Sequence, residues 1–513
     1  MKSPDVLLAR SGDVKQLESQ RAENERQRRE NERLQRENEQ LRQRVAELEE
    51  SLKAYADSKA AKAPKITLNY SSERNEPTET PAEKQHETPA EKQRKTKKRK
   101  QSGRKSKKTK PGQADRIIDI LPDGYKKSDC VLRREQFVWR LIDHQAQYVH
   151  YRIYAPANAP DGFVLPSIPG VRNAWCGYGI EFILMLSHHV YWLGLSMDKA
   201  RKLIQFHTGV DIPKSQVDSL LYQLSSDWKG EYEEIAKRIA VASILYIDET
   251  GWKVGKKHCY TWVFGTFADV YYKVGVGRGK EVLEEVIGKM FAGTGVSDNY
   301  GAYASIFTKH QLCWAHLLRK AIELMLRYPT NKSYRAFYLQ LLFHYRQAKQ
   351  YREDGSLTPE DREAKSLELQ AAIVKLCTRA GEKIITEKYA KKNDLDKSLV
   401  TSVPEATMIR LQNELVSKLD CLFVFVENPV VDGTNNQSER DLRREAQVRK
   451  MGNTSKSDKG ALRRATIISV FASLARRMTE MTLENIMKVV LDAKQLGISI
   501  FKIAKPPDQK SMG

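Results

Sequence analysis

Three acidic residues, widely separated along the chain, occupy short contexts that suit a metal-binding carboxylate. Asp248 closes the apolar run Ser243-Ile244-Leu245-Tyr246-Ile247, and Asp298 closes the shorter run Gly295-Val296-Ser297. Glu439 lies in Asn435-Asn436-Gln437-Ser438-Glu439-Arg440, at the start of a basic, helix-like segment. Carboxylates on rigid elements can grip two divalent cations about 4 Å apart, an arrangement that activates a nucleophile and stabilises the leaving oxygen in phosphodiester chemistry. In a chain of net charge +22, the trio points to an enzyme acting on nucleic acid.

Each acid has rivals. Glu249 follows Asp248, but alternation along a strand turns the two to opposite faces. Glu427, Asp432, Asp441 and Glu445 lie close to Glu439 in sequence. Both aspartates close apolar runs, where an unpaired charge is costly, and this argues against simple surface acids. His316 stands three residues after Cys313. The pair has half the spacing of a zinc site, with no second half at metal-ligand spacing, so His316 reads either as a satisfied core histidine or as a contact to phosphate or base. Arg319 follows it. Arg440, Arg443 and Arg444 share one helical face and, with Arg449 and Lys450, surround Glu439 in sequence. They read as a solvated stripe or as phosphate holders beside a cutting site.

The elements that must position these groups begin with charge. A sequence pI near 9.5 favours polyanionic partners. Arg94 to Lys110 carries eleven Lys or Arg in seventeen residues and no acid. Such a run cannot bury a core, and its binding to phosphates weakens as salt rises. Ahead of it, Glu79 to Gln85 recurs as residues 87–93, a low-complexity tandem. The six cysteines form no CxxC pair, which argues against a zinc ribbon or a disulfide framework. The most apolar stretch, Ile180 to Leu195, contains Glu181, His188 and His189 and reads as a buried helix instead of a membrane span. The composition is that of a reduced, cytoplasmic protein.

Residues 15–55 carry Leu34, Leu41, Leu48 and Tyr55 at seven-residue spacing, with Asn24, Asn31 and Asn38 in the other seam position. This pattern predicts a parallel coiled coil and a homo-oligomer. Gln136–Leu141 and Tyr148–Tyr154 alternate as two strands around a turn at Asp143-His144-Gln145. Met197–Thr208, Gly209 and Lys214–Leu224 have the shape of a helix-turn-helix, with Lys214, Ser215 and Gln216 leading the recognition helix into DNA, or of an ordinary helical hairpin. Strands follow over Ser243–Val254, His258–Thr266 and Ala268–Val276, then a helix over Lys280–Met290, a strand delivering Asp298, and a fifth strand at Gln311–Trp314 leading into a helix from His316 to Arg327. Further helices are expected over Tyr334–Gln350, Pro359–Arg379 and Val403–Leu419.

The expected fold is therefore mixed α/β. Its parts are a coiled-coil oligomerisation helix (1–55), a disordered basic linker (56–113), a small β-rich module (114–176) and a helix-turn-helix-like region (177–240). An RNase H-like core (241–327) follows, with a helical insertion (328–425), the final core helix and C-terminal bundle (426–500) and a tail (501–513). In the RNase H-like order the first and fourth strands are neighbours, which would bring Asp248 and Asp298 together.

Ile247-Asp248-Glu249-Thr250-Gly251-Trp252, Ser297-Asp298-Asn299-Tyr300-Gly301-Ala302-Tyr303, Cys313-Trp314-Ala315-His316-Leu317-Leu318-Arg319, and Asn435 to Arg440 followed by Arg449-Lys450 resemble the insertion sequence 66 family of DDE transposases over about residues 115–500. The resemblance implies that Asp248, Asp298 and Glu439 bind Mg²⁺ or Mn²⁺ and drive nicking at element ends, then attack of the freed 3′-hydroxyl on target DNA. It also implies terminal repeats and target DNA as partners, accessory proteins of the same element and a bacterial host. The chain departs from the family pattern at one point: residues 115–175 offer only Cys130, where members usually carry a CxxC zinc-finger-like module. A nuclease of the same fold, or a DNA-binding derivative without strand transfer, are the alternative activities.

Overall fold

The computed structural model describes residues 114–303, 305–393 and 396–506. The expected coiled coil (15–55), the basic linker and most of the short tail lie outside the described residues.

The first sheet has the order β1-β3-β2, from β1 (Arg116–Ile120), β2 (Cys130–Ile142) and β3 (Gln145–Pro156). Asp143 and His144 both have positive φ, 50° and 62°, the backbone a two-residue hairpin turn needs. The expected turn is thus present, one residue shorter because Gln145 already pairs with Ile142. Strand β1 was not anticipated; it pairs in parallel with β3.

The apolar stretch after it is not one helix. Helix α1 (Ile180–Ser187) passes into a π-helical segment, His188–Trp192, and Gly194 then takes a positive φ of 72°. Helices α2 (Met197–Thr208), α3 (Lys214–Asp227) and α4 (Lys229–Ala240) follow. Gly209 ends α2 in the left-handed conformation, as a glycine after a helix commonly does. Val217, Leu220, Leu221 and Leu224 face the core from α3, while Lys214, Ser215 and Gln216 at its start are exposed.

The second sheet has five strands: β4 (Ile244–Val254), β5 (Lys257–Gly265), β6 (Val270–Val276), β7 (Phe291–Ser297) and β8 (Phe307–Leu312), in the order β6-β5-β4-β7-β8. The first three are antiparallel; β7 and β8 run parallel to β4. Helix α5 (Lys280–Ile287) connects β6 to β7. The fifth strand lies earlier than expected. Its Thr308-Lys309-His310 segment is polar because β8 is an edge, where one side of the strand need not be buried. Cys313 instead caps helix α6 (Trp314–Arg327).

Helices α7 (Lys332–Glu353), α8 (Pro359–Leu376), α9 (Glu387–Lys392), α10 (Val403–Ser417) and α11 (Val424–Glu427) form the helical region after α6. Then come α12 (Asn436–Lys450), α13 (Asp458–Ala475), α14 (Leu483–Leu496) and α15 (Ile500–Ile503). One apolar core joins the first sheet, α1–α4 and much of the second sheet to α13 and α14. Another packs Tyr246, Val296, Leu312 and Trp314 against α7, α8 and α10. Helix α13 is fixed to β6 by Ser473 and Ser469, whose Oγ atoms accept the backbone N–H groups of Val270 and Tyr272 at 2.9 and 2.8 Å.

Candidate active site

Register places the first two acids. Tyr246 of β4 lies opposite Val296 of β7 in a parallel pair. Side chains repeat every two residues along a strand, so two positions onward the same row reaches Asp248 and Asp298. Asp248 does not end its strand, since β4 continues to Val254. The sheet row runs from Tyr246, buried in the second core, through Asp248 to Trp252, whose ring lies 5.0 Å from the Arg464 guanidinium of α13. Both aspartates are half-buried.

The third acid arrives through Asn435, which is buried. Its Nδ2 donates to the Ile247 carbonyl at 2.7 Å, and its backbone N–H donates to Cys313 Sγ at 3.1 Å. Its own carbonyl accepts from Ser438 Oγ. One residue, through its side chain and its backbone, thus ties the strand before Asp248, the residue capping α6 and the first turn of α12 into one unit, with Glu439 in that turn. Asn435 stands in the motif around Glu439, with nothing local to mark it out. Its role is a set of through-space bonds that spacing does not show.

Burial first, then the charges of Glu249, Asp298 and Glu439, hold the Asp248 carboxyl well above the usual range. The three acids therefore share an electrostatic neighbourhood. Asp298 Oδ1 accepts the Tyr300 N–H at 3.0 Å, and Asp248 Oδ1 accepts the Glu249 N–H at 2.9 Å. Glu249 is engaged elsewhere: it accepts from Tyr303 OH at 2.7 Å and pairs with Arg278 at 2.8 Å. The rivals of Glu439 are engaged too. Glu445 is fully buried against Arg464, Asp441 pairs with Arg476, Asp432 pairs with Arg352 at 2.7 Å, and Glu427 accepts from Ser366 at 2.9 Å. Glu439 Oε1 is buried with no hydrogen-bond partner.

His316 Nδ1 approaches Glu439 Oε1 at 3.6 Å. Among the described residues, Cys313, His316 and Glu439 bring three potential ligand atoms within 4.8 Å of one another; the three acids do not form such a group together. The CxxH pair has no second half at metal-ligand spacing in sequence, yet a third potential ligand atom lies beside it. That atom belongs to Glu439, far away in sequence. Burial holds His316 below the usual imidazole range, with Glu439 and Asp298 pulling the other way. A cleft beside these groups is walled by Arg278, Asp298, Tyr300, His316, Lys320 and Glu414. Glu414 of α10 reaches into it, accepting from Asn299 at 2.9 Å and from Lys320 at 2.6 Å.

The basic residues divide. Arg319, Arg440, Arg443 and Lys450 are exposed. Arg444 instead lies 3.5 Å from the centre of the Trp192 ring, and Arg449 donates to the Gly251 carbonyl at 3.0 Å. These last two hold α12 to its neighbours, which the idea of a single stripe did not foresee.

The raised carboxyl has a measurable consequence. Folded Asp248 holds its proton more tightly than the unfolded chain does, so metal-free stability falls as pH rises from the ordinary value of 3.8 through the raised one. Asp248→Asn removes that cost. In chelator at neutral pH the variant should melt at a higher temperature than wild type, and Mg²⁺ should raise the melting temperature of wild type more than that of the variant. A wild type that melts above the variant in chelator would show that burial and the neighbouring acids do not burden Asp248.

No curated protein matches the chain. Residues 181–463, more than half of the sequence, match the profile of the family described as Transposase IS66 family.

Proposed function

Since the chain belongs to the IS66 family of transposases, we propose that it binds the terminal repeats of a mobile element and catalyses metal-dependent DNA cleavage and strand transfer. What supports this reading is the row that Asp248 and Asp298 share along β4 and β7, together with the charges of Asp298 and Glu439 acting on Asp248. The sheet order, with β4 beside β7 and a meander on the far side of β4, supports an RNase H-like core.

The donor set fits Mg²⁺ or Mn²⁺. It consists of carboxylate oxygens, which suit these ions, and it includes a buried oxygen with no partner and a carboxyl whose ionisation is opposed by its neighbours. When bound, the ions would activate the attacking oxygen and stabilise the leaving one. Asp248 and Asp298 present their carboxylates from one row of a rigid sheet. Tyr303 and Arg278 keep Glu249 out of the set. Asn435 fixes the first turn of α12 so that Glu439 faces α6. Arg319 and Arg440, exposed near these elements, would hold phosphates.

Lys214, Ser215 and Gln216, exposed at the start of α3, are suited to reading the major groove; Arg443 and Lys450 would add phosphate contacts. The basic run at 94–110 would add sequence-independent affinity, and residues 15–55 would join protomers. Among the described residues no helix is long and apolar enough to cross a membrane; a site of action at the bacterial nucleoid, with accessory proteins of the same element, completes the reading.

The test is to incubate the full-length protein with the DNA flanking its own gene and Mg²⁺, and to map cut and joined ends. Cuts at both repeat borders with joined products are the expected result. Cuts without joining would instead identify a nuclease, and binding without cuts a DNA-binding derivative.

A further inference from the structure

We propose that Cys313, His316 and Glu439 form a binding site for a single thiophilic transition-metal ion of the Zn²⁺ class, and that filling it inhibits cleavage by withdrawing Glu439 from the acid set. The inhibitory half rests on the reading of Glu439 as a catalytic acid; the binding half does not.

The three ligand atoms lie within 4.8 Å of one another. Tetrahedral zinc, with Zn–N and Zn–O near 2.0–2.2 Å and Zn–S near 2.3 Å, needs its ligands on the order of 3.5 Å apart. The His316 Nδ1 to Glu439 Oε1 distance is 3.6 Å. That is too long for a hydrogen bond, and both atoms are buried without a hydrogen-bond partner. Two unsatisfied polar atoms facing each other are costly unless something bridges them. A cation does so.

The sulfur is held for the task. Cys313 is buried at the start of α6, and its Sγ accepts the Asn435 N–H at 3.1 Å, the kind of outer contact that orients a metal ligand. Binding would release the thiol proton to solvent as the S–metal bond forms. Soft sulfur and imidazole nitrogen select zinc-class ions, whereas Asp248 and Asp298 offer oxygens suited to Mg²⁺. Glu439 belongs to both sets, so the two kinds of ion compete for it. The three protein donors leave a fourth position open.

The probe is Co²⁺ added to metal-stripped full-length protein. The expected result is a thiolate-to-cobalt charge-transfer band that stoichiometric Zn²⁺ removes. Cys313→Ser should abolish the band and weaken Zn²⁺ binding by at least the roughly 100-fold that loss of an outer contact can cost, His316→Gln should weaken it as well, and Asp248→Asn should retain the band. Circular dichroism of each variant separates ligand loss from misfolding. Zn²⁺ should suppress Mg²⁺-dependent cleavage by wild type far more than by Cys313→Ser, each measured against its own zinc-free rate. No band, or a band unchanged in both ligand variants, overturns the site. A normal band with cleavage insensitive to Zn²⁺ overturns the inhibitory role. A normal band in a protein that cleaves nothing overturns the transposase reading and leaves the metal site standing.

Discussion

Asp248→Asn, Asp298→Asn and Glu439→Gln are each expected to lower Mg²⁺-dependent cleavage of element ends by ~10³-fold or more, with DNA binding nearly unchanged. Metal ions stabilise transition-state charge by several kcal/mol, and each 1.36 kcal/mol is about a tenfold change in rate. The substitutions nearly preserve shape; they remove the charge and replace one acceptor oxygen with an amide N–H donor. Asp248 and Asp298 contribute no hydrogen bond that orders a distant element; each accepts a nearby backbone N–H. Glu439 Oε1 makes none. Loss of cleavage with intact binding therefore reports the chemistry and not the fold. Gel assays of end cleavage beside fluorescence anisotropy of repeat DNA measure the two separately. A variant that still nicks in Mg²⁺ at near wild-type rate takes its residue out of the site. Glu249→Gln gives a contrasting outcome: it disturbs the pairing with Arg278 and Tyr303 and should act mainly through stability.

Arg464→Met is expected to destabilise the protein by about 3–5 kcal/mol, the cost of leaving a buried charge without its partner. Glu445 is completely buried, and Arg464 meets it with two hydrogen bonds, at 2.7 and 2.9 Å. The pair joins α12 to α13, and α13 is pinned to β6, so it sets where the helix bearing Glu439 lies. Adding Glu445→Leu to Arg464→Met should recover much of the loss, because an apolar pair of similar size removes the unpaired charge. Denaturant unfolding of the single and double variants decides this. A double variant no more stable than Arg464→Met would mean that the pair does more than neutralise itself, through the stacking of Arg464 over Trp252.

Much was legible from local chemistry. The alternation of Gln136–Leu141 and Tyr148–Tyr154, the apolar spacing of α3 and the glycine after α2 each act within a few residues, and the structure shows the corresponding elements. Mixed α/β character and the strand-to-helix order from Ser243 onward were readable for the same reason. Strand β8 was misplaced because an edge strand is relieved of the burial that gives alternation its signal. Strand β1 went unseen because a short strand gains its stability from the partner it pairs with.

The sequence alone determined which residues could do chemistry here: carboxylates at the ends of apolar runs, a CxxH pair and a basic helix, each set by side-chain type and local period. Only the tertiary structure decided which of them meet. Register between β4 and β7 set Asp248 in line with Asp298, Asn435 fastened the turn bearing Glu439, and ion pairs occupied Glu249, Asp441 and Glu445. Such selection depends on distances between segments remote along the chain, and these come from packing and through-space charge, which no local pattern records.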